Sequence, residues 1–290
     1  MVSPQSAQDL IRRCQRRRSA RGGGGLPLPF YLAAGVLLGL LLANPQWLHL
    51  PRAVGYAALL AGVLWIVIAA RQGVRRQVRI LRQWTRATEA VQLEQWSTAR
   101  QALCTLLSHP VDNSVLRAQG LLGLAAVADH YHEYRSSQLI YEHVLGQPGA
   151  QPVQLHTAAV GLADAMLRND ELTGAVQLID RLARSTQGGP RPWQAHVELV
   201  RLFRELVMGQ YDDLLEAAAE RQVLFRECLS TRSGYGYALL ALGYHRRDQP
   251  DRAARLWKDA TLLVRPEKLL DRFPMLSELA GRYPAWEAAL

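Results

Sequence analysis

The stretch that decides the fold is Tyr237–Pro266, YALLALGYHRRDQPDRAARLWKDATLLVRP. Large and small apolar residues recur at helical spacing on both sides of its polar centre, Arg246–Gln249. Small residues allow two helices to approach closely, and large residues fill the space beside them, so the stretch predicts a packed pair of antiparallel helices. The positions that carry the pattern are Leu240, Ala241, Tyr244, Ala253, Trp257, Ala260 and Pro266.

The same pattern recurs upstream in residues 84–110, 115–148, 155–185 and 193–228, where no strand-like alternation is found. In each second helix, the position equivalent to Ala253 recurs at intervals of 37, 39, 39 and 39 residues. A single pair cannot bury its apolar face, so the sequence predicts an all-α stack of about five helix pairs. The equivalent positions are Ala99, Ser136, Ala175, Leu214 and Ala253.

This pattern resembles the tetratricopeptide (TPR) repeat, in which both helices of a pair combine large, small and aromatic positions and proline follows the second helix. The period is longer than the usual ~34 residues, and hairpin repeats of the HEAT type, with ~40–47 residues, are the nearest alternative. The resemblance implies a TPR-like α-solenoid over residues 84–266. Residues 267–290 are expected to cap its end, because terminal repeats must cover an exposed apolar face.

Two uncharged apolar stretches precede the repeats. Phe30–Ala43 is almost entirely apolar, and Ala53–Ala70 contains no charged side chain. With their flanks, each supplies about the ~20 helical residues that cross a ~30 Å hydrocarbon core. The short connection between them predicts an antiparallel transmembrane helical hairpin over residues 26–70. A cleaved signal peptide is the rival interpretation of the first stretch, but no small-x-small cleavage site follows it.

Arginines predict the orientation of this hairpin. Residues 1–86 hold 13 arginines and one acid, Asp9, and the rest of the chain is slightly acidic, so the formal net charge of +9 comes entirely from residues 1–86. The arginines lie before the first stretch and after the second, and only Arg52 lies between them. The positive-inside rule then predicts a multi-pass protein of the cell (inner) membrane with both termini cytoplasmic. A GxxxG motif, Gly35–Gly39, leaves a homo-oligomer open as well as packing within the hairpin.

Basic segments border the hairpin. Residues 1–25 are basic and contain four consecutive glycines, and they are predicted to form a flexible N-terminal tail. Residues 71–95 are predicted to continue the second transmembrane helix and lead into the repeats, with arginines that contact anionic headgroups of the lipid bilayer. The arginines assigned to the membrane surface are Arg71, Arg75, Arg76, Arg79, Arg82 and Arg86.

No motif of catalysis or cofactor binding stands out. The sequence contains no nucleophile elbow, phosphate-binding loop or HExxH, and its three cysteines are too far apart for a CxxC. His130, His132, Glu133 and His143 are a weak candidate for a metal site and read better as polar residues of a turn. The acidic run at 212–220 is typical of a solvated helix face. We therefore expect no enzyme activity, no cofactor, no metal and no nucleic-acid partner.

Together with the predicted hairpin, the resemblance to TPR repeats implies a membrane-anchored, cytoplasmic-facing scaffold or adaptor that binds a protein or peptide through a concave groove lined by the first helices of the pairs. The alternative is a membrane-bound enzyme or cofactor-handling factor with an unrecognised site. Phe203, Leu199 and Leu206 are expected to form an exposed apolar stripe in the groove. The predicted partner-binding residues are Asp164, Leu167, Arg168, His196, Leu199, Phe203, Leu206, Tyr235, Leu242, His245 and Arg246.

Overall fold

The computed structural model describes residues 52–108, 111 and 113–283, with the side chains of part of 52–76 excepted. The predicted tail 1–25, the stretch Phe30–Ala43 with its GxxxG motif and the last residues of the predicted cap, 284–290, lie outside the described residues. Throughout the described part the regular structure is helical and no strand occurs, which confirms the all-α class. The chain divides into two compact units, one ending at Asp112 and the other beginning at Asn113.

The first unit contains α1 (Arg52–Gln92) and α2 (Trp96–Ser108), which pack against each other. A single uninterrupted helix, α1, covers both the predicted second membrane segment and the basic helix that follows it. Over the described residues, none of the helices combines the length and the apolar composition that a bilayer crossing requires. Small residues are buried where α1 approaches its end and α2 begins, at Ala87, Ala90 and Ala99.

The second unit is a stack of helix pairs. The first helix of each pair packs against the first helix of the next, from α3 to α5, α5 to α7 and α7 to α10, and we call the side that these helices form the A-helix face. The second helix of the third pair is divided at Ala217 into α8 and α9. The bounds are α3 (Ser114–His130) with α4 (Tyr134–Leu145), α5 (Pro152–Arg168) with α6 (Leu172–Thr186), α7 (Arg191–Val207) with α8 (Tyr211–Glu216) and α9 (Ala218–Cys228), and α10 (Ser233–Arg246) with α11 (Pro250–Leu263).

The same backbone turn joins the two helices of every described pair. One residue of each turn has a positive φ, between 54° and 71°, and these residues recur at intervals of 38, 38, 39 and 39. The next backbone N–H donates a hydrogen bond of 2.8–3.0 Å to the carbonyl five residues earlier, which is the closure of a Schellman motif. The hairpin is therefore repeated in the backbone as well as in the sequence. The positive-φ residues are Glu94, His132, Asp170, Gly209 and Asp248.

The pairs interlock through glycines on their first helices. A Cβ on Gly161 of α5 would lie 2.4 Å from the ring of Tyr141 on α4, and a Cβ on Gly243 of α10 would lie 2.5 Å from Cδ2 of Leu214 on α8. Leu214 is the one large residue among the five equivalent second-helix positions, all of which are at most 1% exposed. Gly243 leaves room for the Leu214 side chain, which is larger than the small residues at the equivalent positions.

A buried ion cluster fixes α9 against α7. Arg221 of α9 donates bonds of 2.6 and 2.9 Å to the carboxylate of Glu205, and both side chains are almost wholly buried. Its Nε donates to Glu198 at 3.0 Å. Buried charges need such complete pairing to offset their loss of water. The sequence pattern at the third pair, which depends on apolar spacing, does not reveal this cluster.

Candidate functional site

After α11 the chain returns across the A-helix face as α12 (Pro266–Arg272), a 3₁₀ turn (Pro274–Leu276) and α13 (Ser277–Ala280). We call residues 266–283 the C-terminal segment. Pro266 and Pro274 each begin a short helical piece, because proline lacks the amide donor that would extend the preceding helix. Four apolar side chains of the segment are at most 2% exposed, namely Leu269, Phe273, Leu276 and Leu279.

Phe273 is the central anchor of the segment. Its ring centroid lies 5.1 Å from that of Phe203 on α7 and 6.1 Å from that of Tyr235 on α10. The guanidinium of Arg168 on α5 lies 4.9 Å from the centroid of Phe203 and 5.0 Å from that of Phe273. A cation held this close to several rings gains cation–π attraction, most of all where water is excluded. The expectation that Phe203 is exposed is wrong, because Phe273 covers it and leaves it 5% exposed.

Charge and hydrogen bonds fix the same region. Arg168 donates from Nε to Oδ2 of Asp164 at 3.0 Å and from Nη1 to the backbone carbonyl of Arg272 at 2.7 Å. Arg272 in turn donates to the Asp164 carboxylate at 3.3 Å. Burial alone would raise the pKa of Asp164, but the guanidiniums of Arg168 and Arg272 outweigh it and lower that pKa. Asp164 is therefore an ionised carboxylate that links α5 to the C-terminal segment.

The two ends of the segment are held by polar side chains. Arg246 of α10 forms a bidentate ion pair with Glu278, with Nε 2.9 Å from Oε2, and His245 lies 3.2 Å from the hydroxyl of Tyr283. At the other end, Nε2 of His132, in the turn between α3 and α4, lies 3.2 Å from Oδ1 of Asp271. The Arg246–Glu278 pair is open to water, so it contributes little stability and mainly sets register.

The structure brings more than half of the predicted partner-binding residues to this one contact. Leu167, Leu206 and Leu242 are buried in the core, while His196 and Leu199 are half-buried. Burial lowers the pKa of His196, and Arg232 lowers it further. Leu206, Leu242 and Arg246 also line an open cavity of about 430 Å³ that Met275 of the segment borders. The residues that contact the segment directly are Asp164, Arg168, Phe203, Tyr235, His245 and Arg246.

The sequence pattern does not predict the residues of the C-terminal segment that form the other side of this contact. The spacing of Leu269, Phe273, Leu276 and Leu279 indicates an apolar face, which is attributed from the sequence to a cap at the end of the array. That capping role stays a prediction. The described part of the segment reaches as far as the turn between α3 and α4, three pairs upstream of the last pair, so it covers the A-helix face.

The other candidate residues lie apart from this contact or at its border. Within the described residues no group of three or more potential metal ligands is found. His132 contacts the hydroxyl of Tyr134 at 2.6 Å as well as Asp271, and burial lowers the pKa of His143. Asp212, Asp213, Glu216 and Glu220 are exposed, as a solvated face requires. The arginines with described, exposed side chains on α1 are Arg71, Arg75, Arg79, Arg82 and Arg86, and Arg76 lies in the same helix.

Comparison with known proteins gives no relative: the chain matches no family model, no curated protein and no solved structure.

Proposed function

We propose that this protein is a membrane-anchored adaptor whose helical-repeat domain binds a helical segment of a protein partner across the A-helix face. One observation carries the proposal: this face already accommodates a short helical segment of the protein's own chain. Phe203 and Tyr235 receive an aromatic ring, and Arg246 receives a carboxylate. Buried apolar anchors combined with a few charged pairs are the means by which helical grooves recognise peptides.

The anchor is proposed from the sequence. Phe30–Ala43 and Ala53–Ala70 are apolar, and arginines flank them on the sides assigned to the cytoplasm. We expect the protein to stay with membranes in alkaline carbonate. Reporters fused after residue 25 and after residue 290 should report cytoplasm, and one inserted near Gln46 should report the opposite side. A C-terminal reporter on the outer side would contradict the arginine argument.

The binding face is tested by photo-crosslinking in cells. A crosslinking residue at Leu199, half-buried on α7, should capture a discrete partner. The matched control is the same residue at Lys258, which is exposed on the second helix of its pair. Capture from position 258 but not from 199 would place the partner on the opposite face and overturn the proposal.

A further inference from the structure

We infer that the C-terminal segment is a built-in occupant of the partner site, and that the partner of the proposed function competes with it by presenting the same side-chain pattern. This inference rests on the proposed function and names the chemistry of the partner. The segment covers six of the residues on which the proposed site depends, so segment and partner cannot bind there together.

The architecture of the segment suits it to release. Only Val264 and Arg265 separate α11 from α12, so a displaced segment stays tethered beside the face. Pro266 and Pro274 limit its helical pieces to seven, three and four residues, which are too short to be stable alone. Its order therefore depends on side-chain contacts with the face, and loss of those contacts opens it without unfolding the helix pairs.

The contacts define what a competitor must carry. Phe273 enters between Phe203 and Tyr235, Leu276 and Leu279 follow it at +3 and +6, and Glu278 at +5 meets Arg246. The partner is thus an amphipathic segment with an aromatic residue, aliphatic residues three and six positions later and an acid at the fifth. A tethered occupant acts at high effective concentration, so it lowers the apparent affinity of any partner.

A labelled synthetic peptide of residues 266–283 tests the competition on the full-length protein. Phe273→Ala in the chain weakens the internal occupant and leaves the face intact. We expect this variant to bind the peptide about ten-fold or more tightly than the wild type. Glu267→Ala is the matched control, because Glu267 is exposed in the same segment, and it should bind like the wild type. A peptide that itself carries Phe273→Ala should not bind.

A second variant keeps the test decisive if Phe273→Ala does not fold. Glu278→Arg alters an exposed residue and repels Arg246, so it should also raise peptide affinity, though by less than Phe273→Ala because this pair is open to water. A peptide carrying Glu278→Arg should bind best to an Arg246→Glu chain. Folded variants that bind the peptide no better than the wild type would overturn the inference. Failure of the proposed function looks different: the peptide would compete as expected, but the residue at 199 would capture no partner.

Discussion

Replacing Gly243 by alanine tests how neighbouring pairs interlock, and we expect its effect on stability to change sign with the residue at position 214. Gly243 lies inside α10, and a Cβ there would lie 2.5 Å from Cδ2 of Leu214. Ordinary contacts of a Cβ begin near 3.4 Å, so one side must move by about 1 Å. Leu214 is fully buried and cannot turn its side chain into solvent.

The expected magnitude follows from two opposing effects. Alanine is favoured over glycine inside a helix by about 1 kcal/mol, while overpacking costs typically ~1–3 kcal/mol, so Gly243→Ala should lower the free energy of unfolding by roughly 0–2 kcal/mol. Leu214→Ala alone should cost ~2–5 kcal/mol because it empties a buried site. In that background the clash is gone, so Gly243→Ala should stabilise by about 1 kcal/mol, which gives a coupling energy of ~1–3 kcal/mol between the two sites.

The measurement is urea unfolding followed by far-UV circular dichroism. The wild type, both single variants and the double variant together complete the thermodynamic cycle. Because stacked pairs need not unfold in one step, hydrogen exchange of the α10 amides should be measured beside it. Additive effects, within about 0.5 kcal/mol, would refute the assignment of Gly243 as the space for Leu214. A loss of stability on Gly243→Ala in the Leu214→Ala background would refute it as well.

Three further predictions concern buried charge and the turns. Burial raises the pKa of Asp129 to about 6. The contribution of this carboxyl group to the free energy of unfolding is therefore fully present at low pH, where the group is protonated, and is lost as the pH rises through about 6. Asp129→Asn should raise the melting temperature at pH 8 and change it little near pH 4. Gly209 and Asp170 both have a positive φ, which is strained for residues that carry a Cβ. Gly209→Ala should therefore lower the free energy of unfolding by about 1 kcal/mol, and Asp170→Gly should raise it by about 1 kcal/mol, as measured in urea titrations. Glu205→Gln should cost ~3–5 kcal/mol by leaving Arg221 partly unpaired, whereas Glu227→Gln, at the exposed pair with Arg191, should cost under ~1 kcal/mol; equal losses for the two would contradict the buried-pair argument.

The repeat could be predicted from the sequence wherever packing depends on residue size. The second-helix positions at Ala99, Ser136, Ala175 and Ala253 are small in the sequence and fully buried in the structure. The turns could not be predicted in this way, because glycine, the usual residue for a positive φ, occupies only one of them. Leu214 departs from the small residues at the equivalent positions, and the compensating Gly243 lies in another pair, so only packing reveals the match.

The sequence could predict which side of the stack carries the candidate site, but not whether that side is covered. Spacing along α5, α7 and α10 identifies residues that share the A-helix face, since residues three and four apart lie on one side of a helix. Whether that face is covered depends on contacts such as Arg168 with Arg272 and His132 with Asp271, which are 104 and 139 residues apart. Local periodicity carries no information on pairings over such separations, so Phe203 was expected to be exposed.

The C-terminal segment also couples the stability of the helix pairs to occupancy of the A-helix face. In an array of pairs each pair contacts only its neighbours, so pairs are able to open separately. This segment contacts four successive pairs, through Asp271 at the turn between α3 and α4, Arg272 on α5, Phe273 on α7 and Glu278 on α10. Opening any of the four therefore breaks contacts that the segment shares with the others. A partner with the same side-chain pattern replaces those contacts, whereas release without a partner removes them. Occupancy of the A-helix face and cooperative folding of the pairs are in this way two consequences of the same set of contacts.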